Sequence, residues 1–125
     1  MVDASGIGGF FFRSRDPAAL AAWYEKHFGI AGVPDDYGKP GWRQQAGTTV
    51  FAPFEQSTGY FGRPEQSWMI NFRVVDLDAA VNELSLAGIE VEVDPEIYPN
   101  GRFARLSDPE GNPIQLWQPS GPGAA

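Results

Sequence analysis

Phe12-Arg13-Ser14-Arg15-Asp16-Pro17 is echoed by Phe72-Arg73-Val74-Val75-Asp76-Leu77, 60 residues further along the 125-residue chain. Each copy ends an apolar strand pattern, Gly8–Arg13 or Trp68–Val74. Each then offers an Asp able to cap a helix, because its carboxylate can accept bonds from free first-turn N–H groups. Pro17 suits the first helical position, where its missing N–H costs nothing. The helical patterns that follow, Ala18–Phe28 and Asp78–Ala87, carry apolar stripes at helical spacing: Leu20, Tyr24 and Phe28, then Leu77, Val81 and Leu84. Such stripes face a core. Gly29 and Gly88 can take the left-handed conformation that ends a helix. A solenoid needs about three repeats or more, so two copies point to a pseudo-symmetric pair.

Beyond each helix the pattern changes to short strands. In the second half these are Glu90–Val93, Arg102–Leu106 and Pro113–Gln118. The last two flank Asp108-Pro109-Glu110-Gly111-Asn112, a tight-hairpin signal: Asp starts the turn, Pro presets a dihedral and Gly accepts a positive one. In the first half Trp42–Gln45 and Thr49–Phe54 flank Ala46-Gly47-Thr48, a weaker version. Asp35–Gly41 and Glu55–Glu65 read as loops, and Gly121–Ala125 as a frayed tail. The expected fold is α+β, a single domain over residues 1–125. Its two βαβββ modules, residues 6–54 and 67–119, are related by a pseudo-two-fold, with curved mixed sheets enclosing a cavity. One helix cannot cover both faces of a four-stranded sheet, so the other face must meet a second sheet or a ligand.

Composition narrows the function. The formal net charge of −7 disfavours nucleic-acid phosphates and anionic membrane surfaces. No apolar run reaches the ~18 residues of a bilayer span. Residues 1–9 lack the basic and apolar regions of a secretory signal. With no Cys there is neither a disulfide nor a thiolate. A cytoplasmic protein is expected.

The doubled pattern, with Asp108-Pro109-Glu110-Gly111-Asn112 leading into Ile114-Gln115-Leu116-Trp117, resembles the vicinal-oxygen-chelate superfamily. That group holds glyoxalases, bleomycin-resistance proteins and extradiol dioxygenases. Asn71-Phe72-Arg73-Val74-Val75-Asp76-Leu77-Asp78 and Ala22-Trp23-Tyr24 fit the small glyoxalase-like members, and the resemblance runs from about Gly6 to Pro119. It implies two modules around a U-shaped cavity. In metal enzymes of the superfamily, His, Glu or Gln stand on the first and last strands. The corresponding positions here hold Gly9, Phe51, Met69 and Gln115. Glycine and phenylalanine donate nothing, and a thioether suits hard, oxygen-seeking metals poorly. Gln115 alone is not a metal site. His27, the one histidine, falls near the end of the first helix, where it complements the helix dipole. No metal and no other cofactor are expected.

If positions 9 and 69 face the cavity, strand alternation turns Phe11, Arg13, Asn71 and Arg73 inward too. Gln115 and Trp117 follow on the last strand, with Arg105 and Phe103 opposite them across the hairpin, and Phe51 joins from the first module. The expected ligand-binding residues are Phe51, Asn71, Arg73, Phe103, Arg105, Gln115 and Trp117. Aromatic walls with a few polar anchors characterise small-molecule sites. Guanidinium groups pair well with planar carboxylates, although Arg13 and Arg73 could equally form structural ion pairs. The leading expectation is therefore a homodimeric, metal-independent small-molecule binder. The alternative is a metal-dependent lyase, isomerase or dioxygenase. A non-metal acid–base enzyme would have to use Tyr60, Tyr98 or Glu96, which form no recognisable dyad.

Overall fold

The computed structural model describes residues 1–124. Helix α1 spans Pro17–Phe28 and is capped by Asp16, whose carboxylate accepts from the Ala19 N–H. It ends on Gly29 at φ 67°, in the left-handed region. Helix α2 spans Leu77–Leu86 and repeats the N-cap with Asp76 and the Ala79 N–H. Gly88, at φ 81°, follows its C-terminal end. Both helices thus start and stop as the local chemistry of the repeat requires.

Four strands make one mixed sheet: β1 (Ile70–Arg73), β2 (Glu92–Val93), β3 (Gly101–Ser107) and β4 (Pro113–Pro119), in the order β1-β4-β3-β2. β1 runs parallel to β4, and the other pairs are antiparallel. The register sets Arg105 opposite Gln115, Phe103 opposite Trp117, and Asn71 opposite Gln115 on the other side. Alternation then sends Ala104, Leu106, Ile114 and Leu116 to one face, where they form the core with Leu20 and Tyr24 of α1 and Leu77 and Leu84 of α2. Leu77, Ile114 and Leu116 are fully buried. Each such side chain stabilises the fold by about 1.5–3 kcal/mol. Helix α1, although it belongs to the first half of the chain, therefore packs on the sheet of the second. Phe28 meets Phe72 of β1 at 5.3 Å between ring centroids.

The β3–β4 turn fastens that packing. Asp108, nearly buried, accepts from the Glu110 and Asn112 N–H groups through one oxygen, and from the Asn112 amide and the Tyr24 hydroxyl through the other. Gly111 holds φ 82°, as the turn demands. Glu110 reaches the other way and accepts from the Ser14 hydroxyl (2.7 Å) and the N–H groups of Arg15 (2.8 Å) and Asp16 (3.2 Å), at the start of α1. Among the described residues no buried side-chain polar atom lacks a partner.

The first half departs from expectation. Among the described residues none before Ile70 lies in a strand, so Gly8–Arg13, Trp42–Gln45 and Thr49–Phe54 contribute no ladder here. Phe11, Val50 and Phe51 are exposed, at 93%, 70% and 86%. The sheet is open, and its hydrogen bonding displays one βαβββ unit with a second helix on it, not two related modules around an enclosed cavity. Ala46-Gly47-Thr48 has no counterpart of Asp108 to lock a hairpin. In the N-terminal stretch Phe10 and Phe12 flank Trp68 at 4.9 and 5.0 Å. The expected tail also differs: Gly121–Ala124 form a 3₁₀ turn, while Ala125 lies outside the described residues. No helix among the described residues is long and apolar enough to cross a membrane.

Candidate functional site

The sheet face turned away from the helices carries Asn71, Arg73, Phe103, Arg105, Gln115 and Trp117. The alternation that sinks Ile114 and Leu116 into the core puts Gln115 and Trp117 opposite to them. Six of the seven expected residues thus share one surface. Phe51 does not join them; it is exposed in an unpaired stretch, because the strand meant to carry it does not form. Arg13 is likewise exposed in the first stretch.

The polar members are linked. The Asn71 amide donates to Gln115 Oε1 (2.7 Å), and Gln115 Nε2 donates to the Tyr60 hydroxyl (2.8 Å). Arg105 donates to the Tyr60 carbonyl, and its guanidinium lies 4.3 Å from the centre of the Tyr60 ring. That geometry is a cation–π contact. Arg73 donates to the Gln45 carbonyl (2.9 Å), and a Cβ at Gly47 would collide with its guanidinium. The structural reading of Arg73 as an ion pair is therefore replaced by a bond to backbone. Among the described residues the ion pairs lie elsewhere, as in Arg102 with Asp78 at 3.1 Å.

The apolar members form a wall at the far end. Phe103 and Trp117 are stacked with parallel rings, 6.3 Å between centroids. Tyr98 meets Phe103 edge-on at 5.8 Å. Trp117 is only 4% exposed, and its indole N–H donates to the Asn100 carbonyl (2.9 Å). The C-terminal 3₁₀ turn passes over it: a Cβ at Gly123 would lie 3.9 Å from the indole. Trp117 is thus a buried support, and Phe103, half-buried, is the more accessible ring.

Tyr60 is the residue the sequence did not place. It sits in a Gly- and Pro-containing loop, where helix or strand periodicity says nothing about direction. Its signal was an aromatic trio: Phe54 stacks on Tyr60 at 6.0 Å and meets Phe61 at 5.1 Å. The loop is shaped by its own turns, with Gly62 at φ 94° and Arg63 bonded to Gln66 (2.9 Å).

Acid–base chemistry has little support here. The bond from the Tyr98 hydroxyl to Asp94, aided by Glu96, pushes the Tyr98 phenol up to about 12, so it stays protonated at neutral pH. Burial, then the Asp108 bond, raises Tyr24 further still, and it faces the core. Nor does the donor set suit the metal of the wider superfamily. At the positions where its metal enzymes place ligands, Gln115 offers the one oxygen donor, already bonded to Asn71. No group of three or more His, Asp or Glu side chains that could hold a metal occurs among the described residues. Two surface clefts lie apart from this face. One of about 230 Å³ is bounded by Arg15, Leu20 and Glu110, and one of about 340 Å³ by His27, Val74 and Glu83. The first is where Glu110 is already spent on the start of α1.

The glyoxalase-like domain family matches residues 9–117, and the chain belongs to that family, within the vicinal-oxygen-chelate superfamily. Among solved structures it is similar to TnmS3, an antibiotic binding protein from Streptomyces sp. CB03234. The identity is 27%, the coverage 96% of this chain and 100% of the other, and the TM-score 0.66. A glyoxalase/bleomycin resistance protein from the same organism is 27% identical over 83% of this chain and 92% of its own, at a TM-score of 0.54. A glyoxylase/bleomycin resistance protein/dioxygenase domain from Frankia sp. EAN1pec shares the fold, at 18% identity over 94% and 100% of the two chains and a TM-score of 0.57. Among curated proteins nothing matches.

Proposed function

We propose that this protein binds a small planar molecule on the sheet face of Arg105 and Gln115, and does so without a catalytic metal. The observation that carries this reading is the joint placement of two polar anchors, Arg105 and Gln115, beside the half-buried Phe103 ring, itself backed by Trp117, on the sheet face turned away from α1 and α2. A guanidinium and a carboxamide fix polar atoms by direction, while aromatic rings hold an apolar body. The likeness to an antibiotic binding protein supports sequestration over chemistry. Titration of 15N-labelled protein with planar aromatic carboxylates tests the reading. The Arg105 Nε–H and Trp117 indole signals, and the β3–β4 amides, should shift together. Shifts confined to the cleft beside Glu110, or none with any compound, would contradict it.

A second element of the proposal is a homodimer, which the exposed first half supports. Phe11, Val50 and Phe51 expose apolar surface, and β1 has a free edge at the end of the sheet. Unpaired edges and apolar strands are what a neighbouring chain covers, and two-fold dimers are the commonest closed assemblies. Pairing of the first-half stretches across copies would complete the second βαβββ module and wall the ligand face with Phe51. Light scattering should give twice the chain mass of 13.7 kDa, and a single-chain mass at micromolar concentration would refute the dimer.

A further inference from the structure

The anchors of the binding face already have an occupant. Arg105 donates to the Tyr60 carbonyl and stacks over the Tyr60 ring, and Gln115 donates to the Tyr60 hydroxyl. One tyrosine therefore takes up the charge, the aromatic contact and the amide donor that a ligand would use. A residue serving only as a wall would offer its ring and leave the polar anchors to the ligand. Among the described residues these two bonds are also the only side-chain hydrogen bonds from the sheet to residues 55–65. The remaining bonds of that stretch are turns such as Thr58 to Glu55 and Gly62 to Gly59, or the Arg63–Gln66 link at its end. These turns, with the bond from the Tyr60 N–H to the Thr58 hydroxyl (3.2 Å), can persist while the loop swings off the sheet and carries Tyr60 with it.

We propose that Tyr60 is an internal occupant of the ligand site, displaced when ligand enters, and that its chemistry specifies the ligand class. That class is a flat hydroxyaryl compound with a carboxylate or carbonyl oxygen at the opposite end. The hydroxyl replaces the Tyr60 hydroxyl at Gln115, the ring lies under the Arg105 guanidinium, and the far oxygen replaces the Tyr60 carbonyl. This rests on the small-molecule reading above and sharpens it. The apparent affinity of such a site is reduced by the fraction of molecules in which the occupant is out. Removing the occupant should therefore tighten binding, where removing a wall would weaken it.

Calorimetric titration of 6-hydroxy-2-naphthoate into wild type, Tyr60→Phe and Tyr60→Ala tests this. Tyr60→Ala keeps the backbone carbonyl, but its closed form gives up both the bond from Gln115 and the cation–π interaction with Arg105. It should therefore bind roughly tenfold tighter than wild type. Tyr60→Phe, which forgoes only the bond from Gln115, should fall between them, and serves if the alanine variant does not fold. In the tighter variant 2-naphthoate, lacking the hydroxyl, should bind more weakly than its hydroxylated relative. Equal or weaker binding by both variants would overturn the occupant and leave the small-molecule reading standing. No binding by any of the three proteins would overturn that reading and this proposal with it.

Discussion

Two turns at corresponding places in the repeat behave differently. Asp108-Pro109-Glu110-Gly111-Asn112 closes the hairpin of β3 and β4 and holds Tyr24 of α1 against it. Ala46-Gly47-Thr48 closes nothing, and the flanking stretches stay unpaired and exposed. The difference lies in one carboxylate. Asp108 gathers four donors from backbone, amide and phenol, and a charged acceptor so satisfied makes a turn that cannot easily open. Thr48 and Ala46 have no such acceptor to offer. A repeat in sequence therefore need not yield equal repeats in stability.

Asp108→Ala should break the contrast most severely. It strands the buried Tyr24 hydroxyl and the Asn112 amide, and each unsatisfied buried group costs about 1–3 kcal/mol. Thermal denaturation followed by Trp fluorescence should show a loss of roughly 3 kcal/mol or more. A melting temperature near that of wild type would mean that the turn does not organise the fold. Tyr24→Phe removes a single member of the network and should cost about 1–2 kcal/mol. The two variants combined should lose less than the sum of their separate losses, since they share a bond.

Glu110 links the stronger turn to α1, and its contribution has a pH signature. The Arg15 N–H first, then the Ser14 hydroxyl, hold its carboxyl below the usual range. A depressed folded-state value means that the stabilisation is complete above the ordinary carboxylate range and is lost as pH falls through the folded value. Glu110→Gln should therefore melt earlier than wild type at neutral pH, with the gap narrowing in acid. A gap that stays constant as the pH is lowered would deny the carboxylate this role. The smallest effect belongs to the weaker half: Phe51→Ser should change single-chain stability by no more than about 0.5 kcal/mol. If the proposed dimer uses Phe51, the same variant should shift the mass toward one chain. A large loss of stability without a change in mass would show that Phe51 packs within its own chain.

Much of this was legible in the sequence. Asp16, Asp76, Gly29 and Gly88 marked the helix ends, and the hairpin fixed the register that sets Arg105 beside Gln115. Those features are local, decided by a cap, a positive φ or a two-residue alternation. What was not legible depended on contacts between distant parts of the chain. The pairing of Gly8–Arg13, Trp42–Gln45 and Thr49–Phe54 needs a partner strand that local pattern cannot supply, and with it went the placement of Phe51. Tyr60 lies in a loop, and only the folded chain brings its hydroxyl to Gln115, 55 positions away. The separation of Trp117, a buried support, from Phe103, an accessible ring, likewise depended on where the C-terminal turn settles.

In the proposed function Arg105 anchors a ligand on the sheet face turned away from α1 and α2. The most direct test of that role is the affinity for 6-hydroxy-2-naphthoate of Arg105→Ala made in the Tyr60→Ala background, so that the stacking of Arg105 on the Tyr60 ring does not enter the balance. A hydrogen bond to a charged group contributes about 1.5–3 kcal/mol, so the affinity should fall roughly tenfold or more relative to Tyr60→Ala alone, with the melting temperature recorded for both. Unchanged affinity in a folded double variant would remove Arg105, and with it this face, from the binding site.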